Sequence, residues 1–366
     1  MNVILTGVTG TLGSQILYQL LQNEGIEKIF LLIRKKGEIS ADARLKSIIN
    51  NDAAPKPIAQ NKVGLLKKMV VLESSDFLKP NNYLSGSDKN YFIHSAGCVN
   101  LSTDIAQKEL LYQENLEFTK TIFGAFSSFI TKFTYISTAF SIGDIGGVID
   151  NDYHNKKPQF RNFYEASKHA TEKFLRKKGL ELDLEIQILR PSVLGGNIFR
   201  DSKYFISKYM VYYLVGKFFY NKPANKETRI RLALNNKTGL NIVPVDYAAK
   251  VISKVFTKNI PQLNIVQRNN TNVLKGMKKI IDAVGFENYT FVNTSDANFV
   301  LDAKNKLEDI YYKTIGLHLN KYITSSPYEF DTKLLESIVP MPLYNTEEYL
   351  TQTIQYAKNK KFKNAW

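Results

Sequence analysis

The sequence predicts an α/β protein built on a doubly wound parallel sheet, with a smaller, mainly helical part toward the C-terminus. Two observations carry that expectation. Short β-branched, apolar runs alternate with stretches whose apolar residues recur at helical spacing, an order that yields parallel strands covered on both faces. The first run also passes into the first helical stretch through glycines at 7, 10 and 13. Such a strand–turn–helix junction lets backbone N–H groups approach a phosphate.

The elements follow in order. NVILT precedes the turn, and apolar residues at helical spacing run from Ile16 to Leu21. IEKIFLLIR predicts a second strand ending at Arg34, and KKMVVLES and KNYFIHSAG predict a third and a fourth. A helix around LYQENLEFTKTIFGAF leads to the strand KFTYISTAF, and a helix over 161–178 leads to LEIQILRPSVLGG. After Pro191 the alternation is irregular until GLNIVPVDYAAKVISKVF, a strand followed by a helix from near Asp246. LNIVQ, from Leu263, adds a strand, while VLKGMKKIIDAVG and TEEYLTQTIQYAKNKK read as helices. We expect a nucleotide-binding unit over 1–190 plus 241–256, and a substrate-facing part over 191–240 plus 257–366.

Composition narrows the class. With 366 residues, 44% hydrophobic and 23% charged, the chain can bury a substantial core. Its single cysteine, Cys98, allows no internal disulfide and favours a reducing, cytoplasmic setting. No signal peptide opens the chain, and no apolar run reaches the ~18 residues a membrane-spanning helix needs. The net charge of +15 suits a phosphorylated cofactor, an acidic protein, an anionic membrane or nucleic acid, and equally a lysine-rich solvated surface. Because the lysines are scattered and no recognition motif accompanies them, nucleic acid ranks last. The four histidines lack metal-ligand spacing, so no metal is expected.

The turn TGVTGTLG, residues 6–13, makes the sheet a Rossmann-type one. The second strand then selects the dinucleotide. An acid near its end would hold a ribose 2′-hydroxyl, but here LLIRKK places Arg34. A guanidinium fork suits a 2′-phosphate, and Arg44 is placed to close from the other side. NADPH is therefore expected, against the plainer reading that Arg34 starts a solvated loop. In RNFYEASKHATEKFLRKK, Tyr164 and Lys168 lie one helical turn apart and share a face. A neighbouring ammonium lowers a phenol pKa, so the pair could act as an acid catalyst.

Together these parts resemble the extended short-chain dehydrogenase/reductase family over residues 1 to about 255. The resemblance rests on TGVTGTLG, FIHSAG, Asn115 in ENLEF, YISTAF, YEASK and RPSVLGG. It implies Tyr164 as proton donor or acceptor, Lys168 as ligand of the nicotinamide ribose, and Thr138 as steadier of the substrate oxygen, with Ser137 as a neighbouring candidate. The implied cofactor contacts begin with Thr6, Gly7, Thr9, Gly10, Thr11, Leu12 and Gly13, then Arg34 and Arg44. They continue through Asp76 and Phe77, Ala96 and Gly97, Tyr164 and Lys168, and end at Pro191 and Val193. Ser75 stands where the family usually has a glycine before Asp76. Cys98 and His94 read as packing residues.

LLIRKK with ARL downstream, IHSAGCVNLS, YISTAF and NIVPVDYAAK resemble the branch of fatty acyl-CoA and thioester reductases, also called male-sterility-like. That resemblance implies hydride transfer to the thioester carbonyl of an acyl-CoA or acyl carrier protein, giving an aldehyde, with a second hydride giving the alcohol. Since no adenylation or carrier segment precedes Met1, action in trans on a free thioester is expected. The segment 203–222, KYFISKYMVYYLVGKFFYNK, holds eight aromatics. On a helical wheel Phe205, Tyr209, Tyr212, Tyr213, Phe219 and Tyr220 span an arc of about 120°. It reads as the wall of an acyl tunnel, as a helix packed in the core or a dimer interface, or as a peripheral membrane contact. Nucleotide-sugar epimerases and dehydratases share these motifs, but dehydratases usually follow the threonine with an Asp–Glu pair, and here Ala139 and Phe140 follow. Ketone or aldehyde reduction stays open, as does an NADPH-binding sensor, although sensors tend to lose the tyrosine–lysine pair.

Overall fold

The computed structural model describes residues 1–366 except 87, 153–156, 223–228 and 295–304. Seven strands form the central sheet: β1 (Asn2–Thr6), β2 (Lys28–Leu32), β3 (Met69–Leu72), β4 (Asn90–His94), β5 (Lys132–Ile136), β6 (Glu185–Pro191) and β7 (Gln262–Ile265). Their order is β7-β6-β5-β4-β1-β2-β3, and every pairing is parallel. Every residue of β1 is buried, because both sheet faces are covered and each side chain meets a core. From β1 the chain steps outward through β2 and β3, then crosses to β4 and builds the other way. The crevice at this reversal, beyond the strand ends, is where α/β sheets place ligands.

Helix α1 (Thr11–Leu21) rises directly from β1 through the glycine turn, and α2 (Ala41–Ile49) follows β2. Between β4 and β5 run α3 (Ala106–Tyr112), a π-helical turn (Gln113–Glu117) and α4 (Phe118–Phe126). The long α5 (Phe163–Leu182) begins where the Asn162 side chain accepts the Glu165 N–H at 3.0 Å. It ends with Asp183 in the left-handed conformation, φ 50°, a position an aspartate tolerates.

Strand β7 changes the expected boundary. It pairs with β6 as the edge of the central sheet, so that sheet continues past residue 256. The remaining elements build a second core. A parallel ribbon pairs Ile230–Leu234 with Tyr289–Asn293. Around it lie α6 (Tyr212–Tyr220), helices Val273–Val284, Lys306–Lys313 and Ile315–Ile323, and the closing helix Thr346–Asn359. Tyr213, Phe219, Met277, Ile281 and Ile354 are buried together there.

The aromatic segment corrects the reading of one continuous helix. Only Tyr212–Tyr220 is helical, because Tyr204 and Val211 adopt positive φ (64° and 53°) and break the repeat. Phe205 and Tyr209 therefore lie in an irregular stretch, from which Tyr209 joins Tyr213 and Phe219 in the second core. No helix among the described residues is long and apolar enough to cross a membrane.

Candidate active site

The glycine turn is shaped by steric exclusion. Gly7 has φ 74°, and a Cβ there would fall 2.5 Å from the Ser95 carbonyl carbon. A Cβ on Gly13 would run into the Gly7 carbonyl, so α1 can start this close to β1 only without one. Gly10 caps α1 without any side-chain hydrogen bond, leaving first-turn N–H groups to face outward. Thr6, fully buried, accepts the Ala96 N–H at 3.2 Å and lies 2.8 Å from His94 Nδ1. That ties the ends of β1 and β4 on either side of the crevice. His94 also reaches Thr119 at 3.0 Å, and burial pushes its pKa down to about 3. It is a neutral packing residue.

Around the tyrosine, three elements converge. The Thr138 hydroxyl, beyond β5, hydrogen-bonds the Tyr164 hydroxyl on the first turn of α5. Ser137 is claimed elsewhere: its hydroxyl donates at 2.6 Å to Glu172, which also accepts from Ser141 at 2.8 Å. The fully buried Arg190 neutralises that carboxylate through two bonds of 3.0 and 2.7 Å and holds its pKa below the usual carboxylate value. Of the two candidates, Thr138 is the one that meets the tyrosine.

Lys168 points from the same face of α5, donates to the Ile136 carbonyl at 3.0 Å and lies 4.7 Å from the Tyr135 ring centre. Its burial lowers its pKa to about 8, against an upward pull from Glu172. The Tyr164 phenol behaves contrary to the expectation of a depressed pKa. Burial raises it, and the Thr138 hydrogen bond only partly offsets this. Glu165 and Cys98 push in the same upward direction as the burial.

Gly97, at the end of β4, completes the wall. A Cβ there would stand 3.0 Å from Asn115 Oδ1 and 3.1 Å from Lys168 Nζ, so glycine keeps the lysine accessible. Asn115 lies in the π turn and is buried. Its side chain accepts the Cys98 N–H at 2.8 Å and donates to the Cys98 carbonyl at 3.1 Å and to Ser167 at 2.9 Å. It thus locks the β4 loop to α5. Asparagine inside a helical pattern was the available signal for this role. Burial and Glu114 raise the Cys98 thiol pKa, as befits a packed rather than nucleophilic sulfur.

The crevice opens into a cavity of about 400 Å³. Gly10, Thr11, Leu12, Gly13, Gly97, Thr138, Tyr164, Lys168, Pro191 and Val193 line it, so the structure brings these expected residues together. Thr6, Gly7, Thr9 and Ala96 are not part of that lining. Arg44 on α2 donates to the Arg34 carbonyl at 2.6 Å and to Thr9 Oγ1 at 2.9 Å. Arg34 itself pairs with Glu114 at 3.6 Å. Asp76 and Phe77 sit on a short turn after β3, Asp76 exposed and Phe77 fully buried in the core. The Phe77 backbone is engaged as well, its N–H donating to the Glu73 carbonyl at 2.8 Å and its carbonyl accepting the Tyr83 hydroxyl at 2.5 Å. At its far end the cavity becomes apolar, lined by Leu194, Val215, Leu240, Met277, Leu319 and Ile323. Among the six wheel aromatics only Tyr212 lines it. Arg161, also on the wall, is shared between Glu165 at 3.2 Å and Asp144 at 3.4 Å. Among the described residues no cluster of His, Cys, Asp or Glu could hold a metal ion.

A parallel sheet with this turn and this tyrosine–lysine pair defines an NAD(P)-dependent oxidoreductase of the extended short-chain dehydrogenase/reductase type. Residues 5–252 match the family described as male sterility protein, and the chain belongs to that family. A polyketide synthase-nonribosomal peptide synthetase from Aspergillus clavatus is 28% identical over 201 residues, 53% of this chain. The match spans only 4% of that relative's length. In structure, the reductase domain of an aureusimine biosynthetic cluster superposes with a TM-score of 0.69 at 16% identity, covering 98% of this chain and 90% of that one. The thiolation-reductase di-domain of an archaeal nonribosomal peptide synthetase gives 0.67 at 18% identity, covering 99% and 76%. The fold is also that of a UDP-glucuronic acid 4-epimerase from Bacillus cereus in complex with NAD, at a TM-score of 0.64 and 15% identity, covering 98% and 97%.

Proposed function

We propose that this protein is an NADPH-dependent reductase converting an acyl thioester, borne by a carrier protein or by coenzyme A, to an aldehyde. The observation that supports it most is one cavity running from the glycine turn, past Thr138, Tyr164 and Lys168, into an apolar end. A dinucleotide fits the first half: Gly7, Gly13 and Gly97 keep clear the space a Cβ would fill, and the start of α1 is uncapped. The second half suits an apolar acyl substituent. Arg34 and Arg44, in place of an acid after β2, favour the cofactor with a 2′-phosphate. NADPH would supply the hydride.

The residues' parts follow from their chemistry. As the thioester carbonyl gains hydride, its oxygen becomes anionic. Thr138 donates a hydrogen bond to it and Tyr164 gives it a proton. A phenol that burial keeps protonated is in the form a donor needs. Lys168 binds the ribose hydroxyls and keeps the site cationic. The resulting hemithioacetal loses its thiol to give the aldehyde. Carrier-borne thioesters gain support from the relatives, whose names include a thiolation-reductase di-domain and a synthetase. Ala139 and Phe140 after Thr138, together with Arg34, weigh against a sugar dehydratase.

The test is thioester-dependent NADPH oxidation across a panel of acyl-CoAs and acyl carrier proteins, with the aldehyde trapped. Tyr164→Phe should abolish turnover and leave NADPH affinity intact. Tight NADPH binding with no aldehyde from any thioester would overturn the substrate assignment, and loss of NADPH binding in Tyr164→Phe would overturn the role given to the phenol.

A further inference from the structure

The stretch between the two positive-φ residues, Tyr204 and Val211, sends Ile206 and Tyr209 into the second core, but Ser207 and Lys208 turn the other way. It is laid across the glycine turn. Ser207 Oγ meets Thr11 Oγ1 at 3.3 Å, the Ser207 carbonyl accepts the Ala365 N–H at 2.9 Å, and Trp366 Nε1 donates to the Thr9 carbonyl at 3.1 Å. The segment is thus held from both sides, and Lys208 joins Gly10, Thr11, Leu12 and Gly13 in lining the cavity.

Lys208 arrives among like charges. Burial lowers its pKa, and the charges of Lys36 and Arg44 lower it further. Among the described residues none of Lys36, Arg44 and Lys208 forms an ion pair with a carboxylate, whereas Arg34 is partly neutralised by Glu114. Of the three, Lys208 lines the cavity while Arg44 reaches the glycine turn through Thr9, and like charges gathered there favour an anion.

We infer that Lys208 is a cofactor ligand supplied from the C-terminal part, closing with Lys36 and Arg44 a three-cation site around the adenosine 2′-phosphate of NADPH. This rests on the reading of the protein as NADPH-dependent. It also explains why a segment outside the nucleotide-binding unit is pinned to Thr11: binding the cofactor and shaping the substrate cavity then share one strap, since Met210, Val211 and Tyr212 line the same cavity.

Calorimetric titration of wild type, Lys208→Met and Lys208→Arg with NADPH and with NADH tests it. Lys208→Met should weaken NADPH binding roughly 10- to 100-fold, as loss of one charge-assisted phosphate contact does, and leave NADH within about twofold. Lys208→Arg should restore NADPH affinity. Unchanged NADPH affinity in Lys208→Met, or equal loss for both dinucleotides, would overturn the assignment, the second outcome placing the ammonium on the pyrophosphate or making its role structural. A wild type that binds NADH as tightly as NADPH would instead overturn the cofactor reading, and the inference with it. Should Lys208→Met not fold, Lys208→Gln gives the same comparison.

Discussion

Lys168 shows at the scale of one residue how burial and the charge that the proposed chemistry needs oppose each other. Its ammonium is held by one carbonyl and one ring face, and its pKa drops from 10.5 to about 8. Below about pH 8 the folded and unfolded chains are both protonated there, and folding bears the full cost of burying the charge. As pH rises toward 10.5 the folded chain sheds its proton first and the cost is relieved. By linkage that cost is about 3 kcal/mol. Two outcomes are expected. In the wild type, kcat/KM should fall as pH rises through about 8, because the free enzyme loses the cation, while Lys168→Arg holds activity to higher pH. Lys168→Met should be inactive yet melt at or above the wild-type temperature at pH 7. A melting temperature several degrees lower would show the ammonium to be a net stabiliser.

At the scale of elements, the site depends on how closely α1 approaches β1. The turn has room for backbone only, and the missing Gly13 side chain sets the distance between helix and strand. Gly13→Ala would suit the helix by propensity but must displace α1 from Gly7. It should lower the melting temperature and weaken NADPH binding at least about tenfold, overpacking of this kind costing about 1–3 kcal/mol. Calorimetry showing wild-type affinity would mean the helix start is not the phosphate site. Asn115 is a second device of this kind. The π turn around it exposes backbone carbonyl to Thr119 and Thr171 at 2.6 and 3.2 Å, joining α3, α4 and α5 behind the lysine.

Across the whole molecule, Thr138, Tyr164 and Lys168 belong to the unit built on the parallel sheet, while the apolar end of the cavity is built largely by the second core. Val215 on α6 and Met277 on its neighbouring helix line that end. Filling it should change substrate range without touching the cofactor. Val215→Phe and Met277→Trp are expected to shift preference toward shorter acyl chains, with NADPH affinity unchanged. Measuring kcat/KM over a chain-length series checks this, and an unaltered profile would place the acyl chain elsewhere.

What the sequence determined by itself was local. The alternation of strands and helices, the Gly7–Gly10–Gly13 turn, the arginine after β2 and the shared face of Tyr164 and Lys168 are set by short-range periodicity and steric need, which neighbouring residues encode. What only the tertiary structure decided was non-local. Thr138 and not Ser137 meets the tyrosine, because Glu172 of α5, itself held by Arg190 of β6, accepts the serine hydroxyl. The Tyr164 phenol stays protonated because burial, which no sequence window reports, raises its pKa by more than the Thr138 hydrogen bond lowers it. The aromatic segment became part core and part strap, and Lys208 came to lie over the first turn of a helix almost two hundred residues earlier in the chain. Desolvation and long-range packing are properties of the assembled fold, and these assignments depend on them.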